Sequence, residues 1–276
     1  MEAKLINLDD FTLFGGGANG DSYDSKTDKS VMLKLYTAGK IEQPLSELRL
    51  ARMVYDAGIP SPEPGEYVKT EDGRYGILFK RIVGKKSYAR AIGDNPELVE
   101  KYACAFADMC LKLHAIHVDT KVFTCIKDKY LTLLEANPFF SKTEKDKISR
   151  FIFDAPEGDS ALHGDLHFGN LIFVGDQNYF IDLGDFNYGY PLFDVGMVYV
   201  SSVISDSAFK QESFHMDDAT ALRFWEFFAH AYFGSDRPLK SIEEEVKPYA
   251  GLKTLIVERD TKRPMLDIRP ALNSIL

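Results

Sequence analysis

Cysteine is scarce in this chain of 276 residues, which carries three: Cys104, Cys110 and Cys125. The number is odd, and the three residues show neither C-x-x-C spacing nor a neighbouring histidine cluster. These features disfavour both a disulfide framework and a zinc site. We therefore expect reduced thiols that are mostly buried.

Long apolar runs and an excess of basic residues are also missing. No apolar stretch approaches the roughly 20 residues that a membrane-spanning helix requires, and the N terminus lacks the profile of a signal peptide. Lysine and arginine number 33 against 42 aspartate and glutamate, for a formal charge of -9. This charge disfavours nonspecific binding to nucleic acid or anionic membranes, and it would suit a cationic small molecule if the negative charge gathers at one cleft. We expect a cytoplasmic protein.

A dense acidic motif is present in the second half of the chain. It reads His163-Gly-Asp-Leu-His-Phe-Gly-Asn170 and is followed by Ile181-Asp-Leu-Gly-Asp185. The carboxylate of Asp165 can accept the proton of a substrate hydroxyl group. Asn170 and Asp182 offer an amide oxygen and a carboxylate oxygen, which suit Mg²⁺. The spacing is that of kinase catalytic loops, and it predicts phosphoryl transfer from ATP.

The residues around this motif predict a β-hairpin that carries the metal ligands. Residues 170–174 and 179–182 read as two strands that flank the turn 175–178. The alternative is an acidic surface loop that merely precedes a hairpin. The motif disfavours this alternative because several residue types must stand in a fixed order and context.

Glycine is concentrated near the N terminus, where residues 11–14 enter Gly15-Gly-Gly-Ala-Asn-Gly20 and residues 30–36 alternate on the way out. Two strands around such a turn can lie over phosphates, because glycine lets backbone amides approach closely. A simple surface turn explains the glycines equally well. The candidate nucleotide-binding residues are Gly15, Gly16, Gly17 and Gly20.

Lys34 favours the phosphate-binding interpretation of this hairpin. It stands in Val-Met-Leu-Lys, which is close to the Val-Ala-Ile-Lys of the kinase pattern, and can pair with α- and β-phosphates. Glu47 lies thirteen residues later in a segment, 44–58, whose apolar residues have helical spacing. Glu47 can therefore hold Lys34 from a helix. The alternative for both residues is a solvated charge on an amphipathic element.

Two further strands, 66–70 and 75–83, are separated by a turn. We expect the second strand to run into a hinge, where backbone groups of Lys80 to Ile82 meet an adenine edge. An ordinary strand that leads to a loop is the alternative, since no side chain here identifies adenine. Gly84 marks the crossing, so we predict an N-terminal lobe of residues 1–83 and a C-terminal lobe of residues 84–276.

The rest of the chain is predicted to be largely helical, over residues 96–117, 127–137, 142–153, 217–233 and 241–258. His114 and His117 lie three residues apart with no acidic partner at helix spacing, which favours packing over metal binding. The aromatic residues between 224 and 233 likewise favour a packed helix face over a ligand site.

Taken together, these motifs resemble those of the aminoglycoside phosphotransferase and choline kinase-like superfamily, whose members share the protein-kinase fold and phosphorylate small molecules. The resemblance spans nearly the whole chain. It also rests on Gly58-Ile-Pro-Ser-Pro62, Leu113-His114 and Phe193-Asp-Val-Gly196. It implies an α+β, two-lobed fold with a small, antiparallel β-rich N-lobe and a larger, mostly helical C-lobe.

The resemblance also implies roles for single residues. Asp165 is the implied catalytic base, Asn170 and Asp182 are the implied Mg²⁺ ligands, and Asp185 is a candidate to assist a second metal ion or the substrate. One departure is Tyr190, which stands where these phosphotransferases commonly carry Asp, so the local loop structure stays open. The residues implied to support the site are His163, Asp185 and Asp194.

The acceptor is expected to be small. Asp194 follows Asp182 by only twelve residues and no Ala-Pro-Glu comes after it, so the peptide platform of protein kinases has no room. His163 is followed by glycine rather than arginine, so phosphorylation switching of the protein-kinase type is not expected.

We therefore predict an ATP- and Mg²⁺-dependent enzyme that phosphorylates a hydroxyl group of a small molecule, and the acidic charge favours an amine-bearing acceptor. A nucleotide-binding sensor with weak catalysis and a protein kinase are the alternatives. The complete set of phosphate-handling residues argues against the first, and the short segment after Asp182 argues against the second. The acceptor and the oligomeric state stay open.

Overall fold

The computed structural model describes residues 2–17 and 20–276. The fold belongs to the predicted α+β class, because a β-sheet comes first in the chain and the C-terminal part is mostly helical. The chain divides into two compact units, Met1–Lys86 with Ile172–Gly184 and Ser87–Leu171 with Asp185–Leu276. The predicted lobes, 1–83 and 84–276, differ from this division because the segment 172–184 clusters with the first unit.

The strands and helices are defined by backbone hydrogen bonds. The strands are β1 (Lys4–Ile6), β2 (Phe11–Gly17), β3 (Gly20–Ser25), β4 (Val31–Tyr36), β5 (Pro64–Thr70), β6 (Tyr75–Lys80), β7 (Lys86–Ser87), β8 (Ser160–Leu162), β9 (Leu171–Val174), β10 (Gln177–Phe180) and β11 (Asn187–Gly189). The helices are α1 (Glu42–Asp56), α2 (Tyr88–Asp94), α3 (Val99–His114), α4 (Ile126–Ala136), α5 (Lys142–Asp154), α6 (Leu192–Tyr199), α7 (Ser207–Phe209), α8 (Asp218–Phe233) and α9 (Leu239–Thr261).

The first unit is built on a six-stranded sheet in the order β1-β5-β6-β4-β3-β2. The strand β1 pairs with β5 in parallel, and the other neighbouring strands are antiparallel. Side chains alternate between the two faces of β4. Leu33 and Leu35 are buried on one face, whereas Tyr36 is buried on the other with Leu48 of α1. Lys34 shares the parity of Tyr36, so the strand period directs it to the face that α1 covers.

The predicted hairpin is present as β9 and β10. Its turn contains Gly175 with a φ of 56°, a left-handed conformation that glycine adopts without steric cost. The amide of Phe180 donates to the carbonyl oxygen of Pro60 at 2.8 Å. This bond ties the hairpin to the chain that follows α1 and gives a physical reason for its grouping with the first unit.

The five helices predicted for the C-terminal part are confirmed as α3, α4, α5, α8 and α9, with ends that lie within three residues of the prediction. The helices α2 and α6 were not predicted. The first has only seven residues, too few for a helical period to be distinctive, and the second is apolar and buried almost throughout, so it has no amphipathic period. Within the described ranges no single helix is long and apolar enough to cross a membrane, although one bent pair, Leu192–Ile204 with Ser207–Phe214, meets that test by length and composition.

Aromatic side chains form the centre of the second unit. Phe106 of α3 makes edge-on contacts with Phe224 and Phe228 of α8, which confirms the predicted packed helix face. The prediction of mostly buried thiols holds for Cys110 but is wrong for Cys104, which lies exposed on α3. All three cysteines are free thiols, as expected.

The helices α6 and α9 approach each other closely at Gly196. A Cβ atom at this position would lie 2.7 Å from the backbone nitrogen of Ala250 and 2.7 Å from the carbonyl carbon of Tyr249. Such distances are shorter than van der Waals contact, so the glycine is required for the two helices to pack. The same short helix, α6, carries Asp194 two residues earlier.

We expect Gly196→Ala to destabilise the protein by about 1–3 kcal/mol, because the added methyl group has to displace the backbone of α9. Intrinsic helix propensity alone would stabilise the same variant by about 1 kcal/mol. Urea unfolding of the two proteins measures the difference. A variant at least as stable as the wild type would show that this close approach is not required.

Candidate active site

In the first unit, Lys34 meets two carboxylates. Its Nζ atom donates to Glu47 Oε1 at 2.6 Å and to Asp182 Oδ1 at 2.6 Å. The predicted Lys34–Glu47 pair is therefore present, and the hairpin adds the third group. Burial lowers the pKa of Lys34, but the charges and hydrogen bonds of Asp182 and Glu47 outweigh it and leave the pKa raised. The ammonium group thus stays charged at neutral pH.

Asp182 lies just after β10 in a left-handed backbone conformation, with a φ of 61°. This conformation is uncommon for a residue other than glycine, and such residues cluster at functional sites. The side chain of Asp182 is 59% exposed, whereas that of Glu47 is 12% exposed. A Cβ atom at Gly184 would lie 3.3 Å from Glu47 Oε2, a tight contact that the Glu47 side chain could relieve by a shift of a few tenths of an ångström.

A cavity in the first unit is lined in part by Lys34, Glu47 and Asp182. Its other lining is largely apolar, and Lys85 adds a second cation. Burial, together with the charge of Arg81, lowers the pKa of Lys85. No role for Lys85 was predicted, although its position directly after Gly84, at the predicted crossing between lobes, could have indicated one. The apolar lining residues are Met32, Ala51, Pro62, Phe79, Ile82, Ile172, Ile181 and Leu183.

The two predicted hinge residues differ in their placement. Ile82 lines the cavity. The amide of Lys80 donates to the carbonyl oxygen of Glu63 at 2.9 Å, and its exposed ammonium group lies 3.2 Å from the Glu63 carboxylate. The amide of Arg81 likewise donates to the carbonyl oxygen of Ser30. Both amides are therefore engaged within the protein, which leaves Ile82 as the better placed of the two predicted residues.

The glycine-rich hairpin forms from β2 and β3, which pair up to Gly17 and Gly20. Ala18 and Asn19 of the predicted turn lie outside the described residues. A Cβ atom at Gly20 would collide with the carbonyl oxygen of Leu35, so the approach of β3 to β4 already requires this glycine. At Gly15, by contrast, a Cβ atom would meet nothing within 4 Å. The two strands that flank the predicted turn are therefore present, and packing by itself accounts for Gly20.

In the second unit, Asp194 holds the backbone of the acidic motif. It is 1% exposed, and its two oxygens accept the amides of His163 at 2.6 Å and Gly164 at 2.8 Å. His114 Nε2 lies 3.3 Å from the same carboxylate. Burial raises the pKa of Asp194, but the hydrogen bond and charge of His114 and the charge of Lys253 outweigh it, so the pKa is lowered. Asp194 is thus a buried anion.

His114 and His117, which the sequence analysis assigned to packing, have different surroundings. His114 Nδ1 lies 2.7 Å from the hydroxyl oxygen of Tyr232, so the ring is held from both sides. His117 is exposed and lies 2.6 Å from Asp159. His114 is therefore a packed residue that also supports the acidic motif through Asp194.

Asp165 directly follows His163 and Gly164, whose amides donate to Asp194. It is half-exposed, with 44% of its side chain accessible. Its amide donates to His163 Nδ1 at 3.3 Å, and its carbonyl oxygen accepts from Asn170 Nδ2 at 2.9 Å. The amide of Gly169 donates to His167 Nδ1, so a neutral His167 carries its proton on Nε2, which lies 3.7 Å from Asp165 Oδ2. No role for His167 was predicted, although it lies inside the acidic motif.

Asp185 is paired rather than open. Its Oδ1 atom accepts from Lys129 Nζ at 2.6 Å, and its carbonyl oxygen accepts from Asn187 Nδ2 at 2.6 Å. Burial raises the pKa of Asp185, but the charge and hydrogen bond of Lys129 outweigh it and lower the pKa. Gly164 has a φ of 84°, and a Cβ atom there would collide with the Asp185 carbonyl oxygen, so this glycine is required for packing.

Among the described residues, no three His, Cys, Asp or Glu side chains form a group that could hold a metal ion. The predicted ligand set is of another kind, since it combines the Asp182 carboxylate and the Asn170 amide with phosphate oxygens. The Asn170 amide nitrogen is engaged with Asp165, so its amide oxygen is the atom suited to a cation.

The first unit is a sheet that carries the Lys34–Glu47 pair. The second unit is helical, and Asp194 holds the backbone of its acidic motif. These features define a protein-kinase-like fold. The model of a family described as the phosphotransferase enzyme family matches residues 10–228. The chain belongs to this family. No curated protein matches it in sequence.

Solved structures confirm the fold that the resemblance implied. Amicoumacin kinase hAmiN in complex with AMP-PNP, Ca²⁺ and Ami is 15% identical over 99% of this chain and 88% of that chain, with a TM-score of 0.59. A thermostable mutant of aminoglycoside phosphotransferase APH(4)-Ia, in a ternary complex with AMP-PNP and hygromycin B, is 13% identical over 96% and 92%, with a TM-score of 0.62. A choline/ethanolamine kinase family protein from Mesorhizobium loti is 18% identical over 95% and 85%, with a TM-score of 0.53.

We expect Asp194→Asn to lower the free energy of unfolding at neutral pH by about 3–5 kcal/mol, because it removes the buried anion beside the buried Lys253 ammonium and an acceptor for the amides of His163 and Gly164. The lowered pKa of Asp194 means that its contribution is complete above its ordinary value of 3.8 and is lost as the pH falls through the folded-state pKa. The stability difference from the wild type should therefore shrink on acidification.

Urea unfolding of both proteins at neutral and acidic pH measures this difference. Asp146→Asn is the matched control, because Asp146 is exposed on α5 and the same change there should have little effect. A stability difference that stays constant or grows as the pH falls would contradict the assignment of Asp194 as a buried anion.

Proposed function

We propose that this protein transfers the γ-phosphate of ATP to a hydroxyl group of a small molecule in a Mg²⁺-dependent reaction. The observation that carries the proposal is the Asp165 carboxylate. It is half-exposed, yet it stands on backbone whose amides and carbonyl oxygen are held by Asp194, His163 and Asn170. A fixed and accessible carboxylate is what a general base requires.

The nucleotide would bind to the first unit. The cavity there combines an apolar lining, which suits a purine base, with the charged Lys34. Lys34 would orient the α- and β-phosphates while Glu47 holds its side chain, as in other kinases. The glycine-rich hairpin, from Gly15 to Gly20, would supply backbone amides to the phosphates. Ile82 lines the same cavity and would contact the base.

Mg²⁺ would be held by Asp182 and Asn170, since both offer hard oxygen ligands. The exposed carboxylate of Asp182, its left-handed backbone and its contact with Lys34 fit a group that faces phosphates. Bound Mg²⁺ would neutralise the charge that develops on the transferred phosphoryl group.

Asp165 would take the proton of the acceptor hydroxyl group as that oxygen attacks the γ-phosphorus. His167 Nε2 lies 3.7 Å from Asp165 Oδ2 and would help to orient the carboxylate. His163, Asp185 and Asp194 would act through the loop backbone rather than on the substrate, because each is engaged with protein groups. The chain would thus contribute mainly positioning and charge.

A small acceptor is supported by the short segment between Asp182 and Asp194, which has no room for a peptide platform. The names of the similar structures include amicoumacin, hygromycin B and choline or ethanolamine as molecules handled by kinases. The formal charge of -9 favours an acceptor that carries an amine. We therefore place the acceptor among hydroxyl-bearing small molecules with amino groups.

We expect Asp165→Asn to reduce turnover by about 10²–10⁴-fold, because the amide cannot accept the proton of the acceptor. Binding of Mg-ATP should change little, since the substitution leaves the first unit intact. ATP consumption with pooled aminoglycosides and amino alcohols, together with calorimetric titration of Mg-ATP, measures both quantities. Asp176→Asn, in the exposed turn of the hairpin, is the matched control.

Equal turnover of wild type and Asp165→Asn would remove Asp165 from the role of base. If no pool stimulates the wild type although Mg-ATP binds, the nucleotide-sensor alternative takes the place of the small-molecule kinase.

We expect Lys34→Met to lower kcat/KM for ATP by about ten- to a hundredfold, because a hydrogen bond to a charged group contributes about 1.5–3 kcal/mol. Lys80→Met is the control, since the Lys80 side chain is exposed and paired with Glu63 outside the cavity lining. Steady-state kinetics with varied ATP measures both variants. Equal losses for the two lysines would contradict the assignment of Lys34 to the phosphates.

A further inference from the structure

Helix α9 contains a lysine that is almost completely buried. Lys253 is 2% exposed, although lysine is almost never fully buried unless it is paired. Its Nζ atom donates to the carbonyl oxygen of Gly164 at 3.0 Å and lies 5.6 Å from the ring centroid of Tyr130. A lysine from the last long helix of the chain therefore reaches the residue that precedes Asp165.

The charge of Lys253 is balanced by the acidic residues of the motif. Burial lowers the pKa of Lys253, and the charges of Asp194, Asp165 and Asp185 oppose this effect. Conversely, the charge of Lys253 helps to lower the pKa of Asp194. The buried Lys253 ammonium therefore interacts with one buried carboxylate, Asp194, and with two partly exposed ones, Asp165 and Asp185, which offset part of the cost of burying it.

Lys253 supplies a hydrogen-bond donor to the loop backbone, which Asp194 cannot do. A carboxylate accepts hydrogen bonds only, and Asp194 uses both oxygens on the amides of His163 and Gly164. The carbonyl oxygen of Gly164 needs a donor, and Lys253 Nζ is that donor. The peptide group between Gly164 and Asp165 is therefore held at its carbonyl by Lys253 and at its amide by His163 Nδ1.

This peptide group is the one whose orientation glycine leaves open. Gly164 has a φ of 84°, and glycine tolerates a wider range of backbone angles than any other residue. A change of ψ at Gly164 would turn this peptide group and displace the Cα atom that carries the Asp165 carboxylate. A bond to its carbonyl oxygen selects one orientation, and a displacement of about 1 Å at a reacting group can cost about a hundredfold in rate.

We propose that Lys253 is a positioning residue of the catalytic loop, which fixes the Gly164–Asp165 peptide and thereby the direction of the Asp165 carboxylate. The inference rests on the proposed function, because it assigns Lys253 a part in orienting the proposed base. It does not place Lys253 in contact with nucleotide or acceptor.

The test compares Lys253→Met, Lys253→Gln and Lys253→Arg with the wild type. Methionine removes both donor and charge at similar volume, glutamine keeps a neutral donor, and arginine keeps both. Lys247→Met is the matched control, since Lys247 is an exposed lysine on the same helix. Amide hydrogen exchange over residues 160–170 and steady-state kinetics are measured for each protein that folds. If Lys253→Met does not fold, Lys253→Gln is used to test the proposal instead.

Lys253→Met is expected to speed exchange in this segment by about tenfold or more and to lower kcat by about ten- to a hundredfold. Lys253→Gln, which keeps a neutral donor on a shorter side chain, should change both quantities in the same direction but by less. KM for ATP should stay within about threefold, because the nucleotide residues are untouched, and Lys253→Arg should recover part of kcat. Wild-type exchange in the segment, or a loss confined to KM for ATP, would overturn the proposal. If the wild type phosphorylates no acceptor, the proposed function fails, and the exchange data alone still decide whether Lys253 holds the loop.

Discussion

The buried carboxylate of Asp194 is the group on which the second unit's site depends. It organises a set of side chains that no single element could provide, since His114 comes from α3 and Lys253 from α9. Two backbone amides of the acidic motif end on this anion. Asp194 lies on α6, whose position is set by its close approach to α9 at Gly196. The position of the half-exposed Asp165 depends in turn on the two amides that Asp194 holds.

In the first unit, the alternation of side chains along β4 positions the central charged group, Lys34. Alternation in β4 buries Leu33 and Leu35 on one face and directs Lys34 to the face covered by α1, where Glu47 lies. The hairpin then adds Asp182 to the same ammonium group. One ammonium group and two carboxylates, which come from a strand, a helix and a hairpin, therefore form one cluster. Each of the two carboxylates raises the pKa of Lys34.

The sequence was sufficient for the parts of the site that depend on residue type and local spacing. The Lys34–Glu47 pair, the hairpin and the five long helices followed from strand alternation, turn residues and helical periodicity. The role of Asp194 came from resemblance, and the structure gives its physical form as an anion that accepts two amides. The family match, over residues 10–228, agrees with the motifs.

The sequence was insufficient where a contact depends on distant parts of the chain. Lys253 is separated from Gly164 by 89 residues, and a lysine in a helix gives no sign that it is buried. The engagement of the Lys80 amide by Glu63 depends on pairing between β5 and β6, and the requirement for Gly20 depends on how closely β3 approaches β4. These features follow from tertiary packing, which local patterns do not encode.

The most direct test of the central claim is to follow the γ-phosphate itself. ATP labelled in its γ-phosphate is incubated with Mg²⁺, the protein and a pool of amine-bearing hydroxyl compounds, and the label is then separated into protein, inorganic phosphate and small-molecule fractions. We predict that the label appears in a phosphate ester of a small molecule and that omission of Mg²⁺ prevents this. Label found only on protein, or left entirely in ATP with every pool, would contradict the assignment of a small-molecule phosphotransferase.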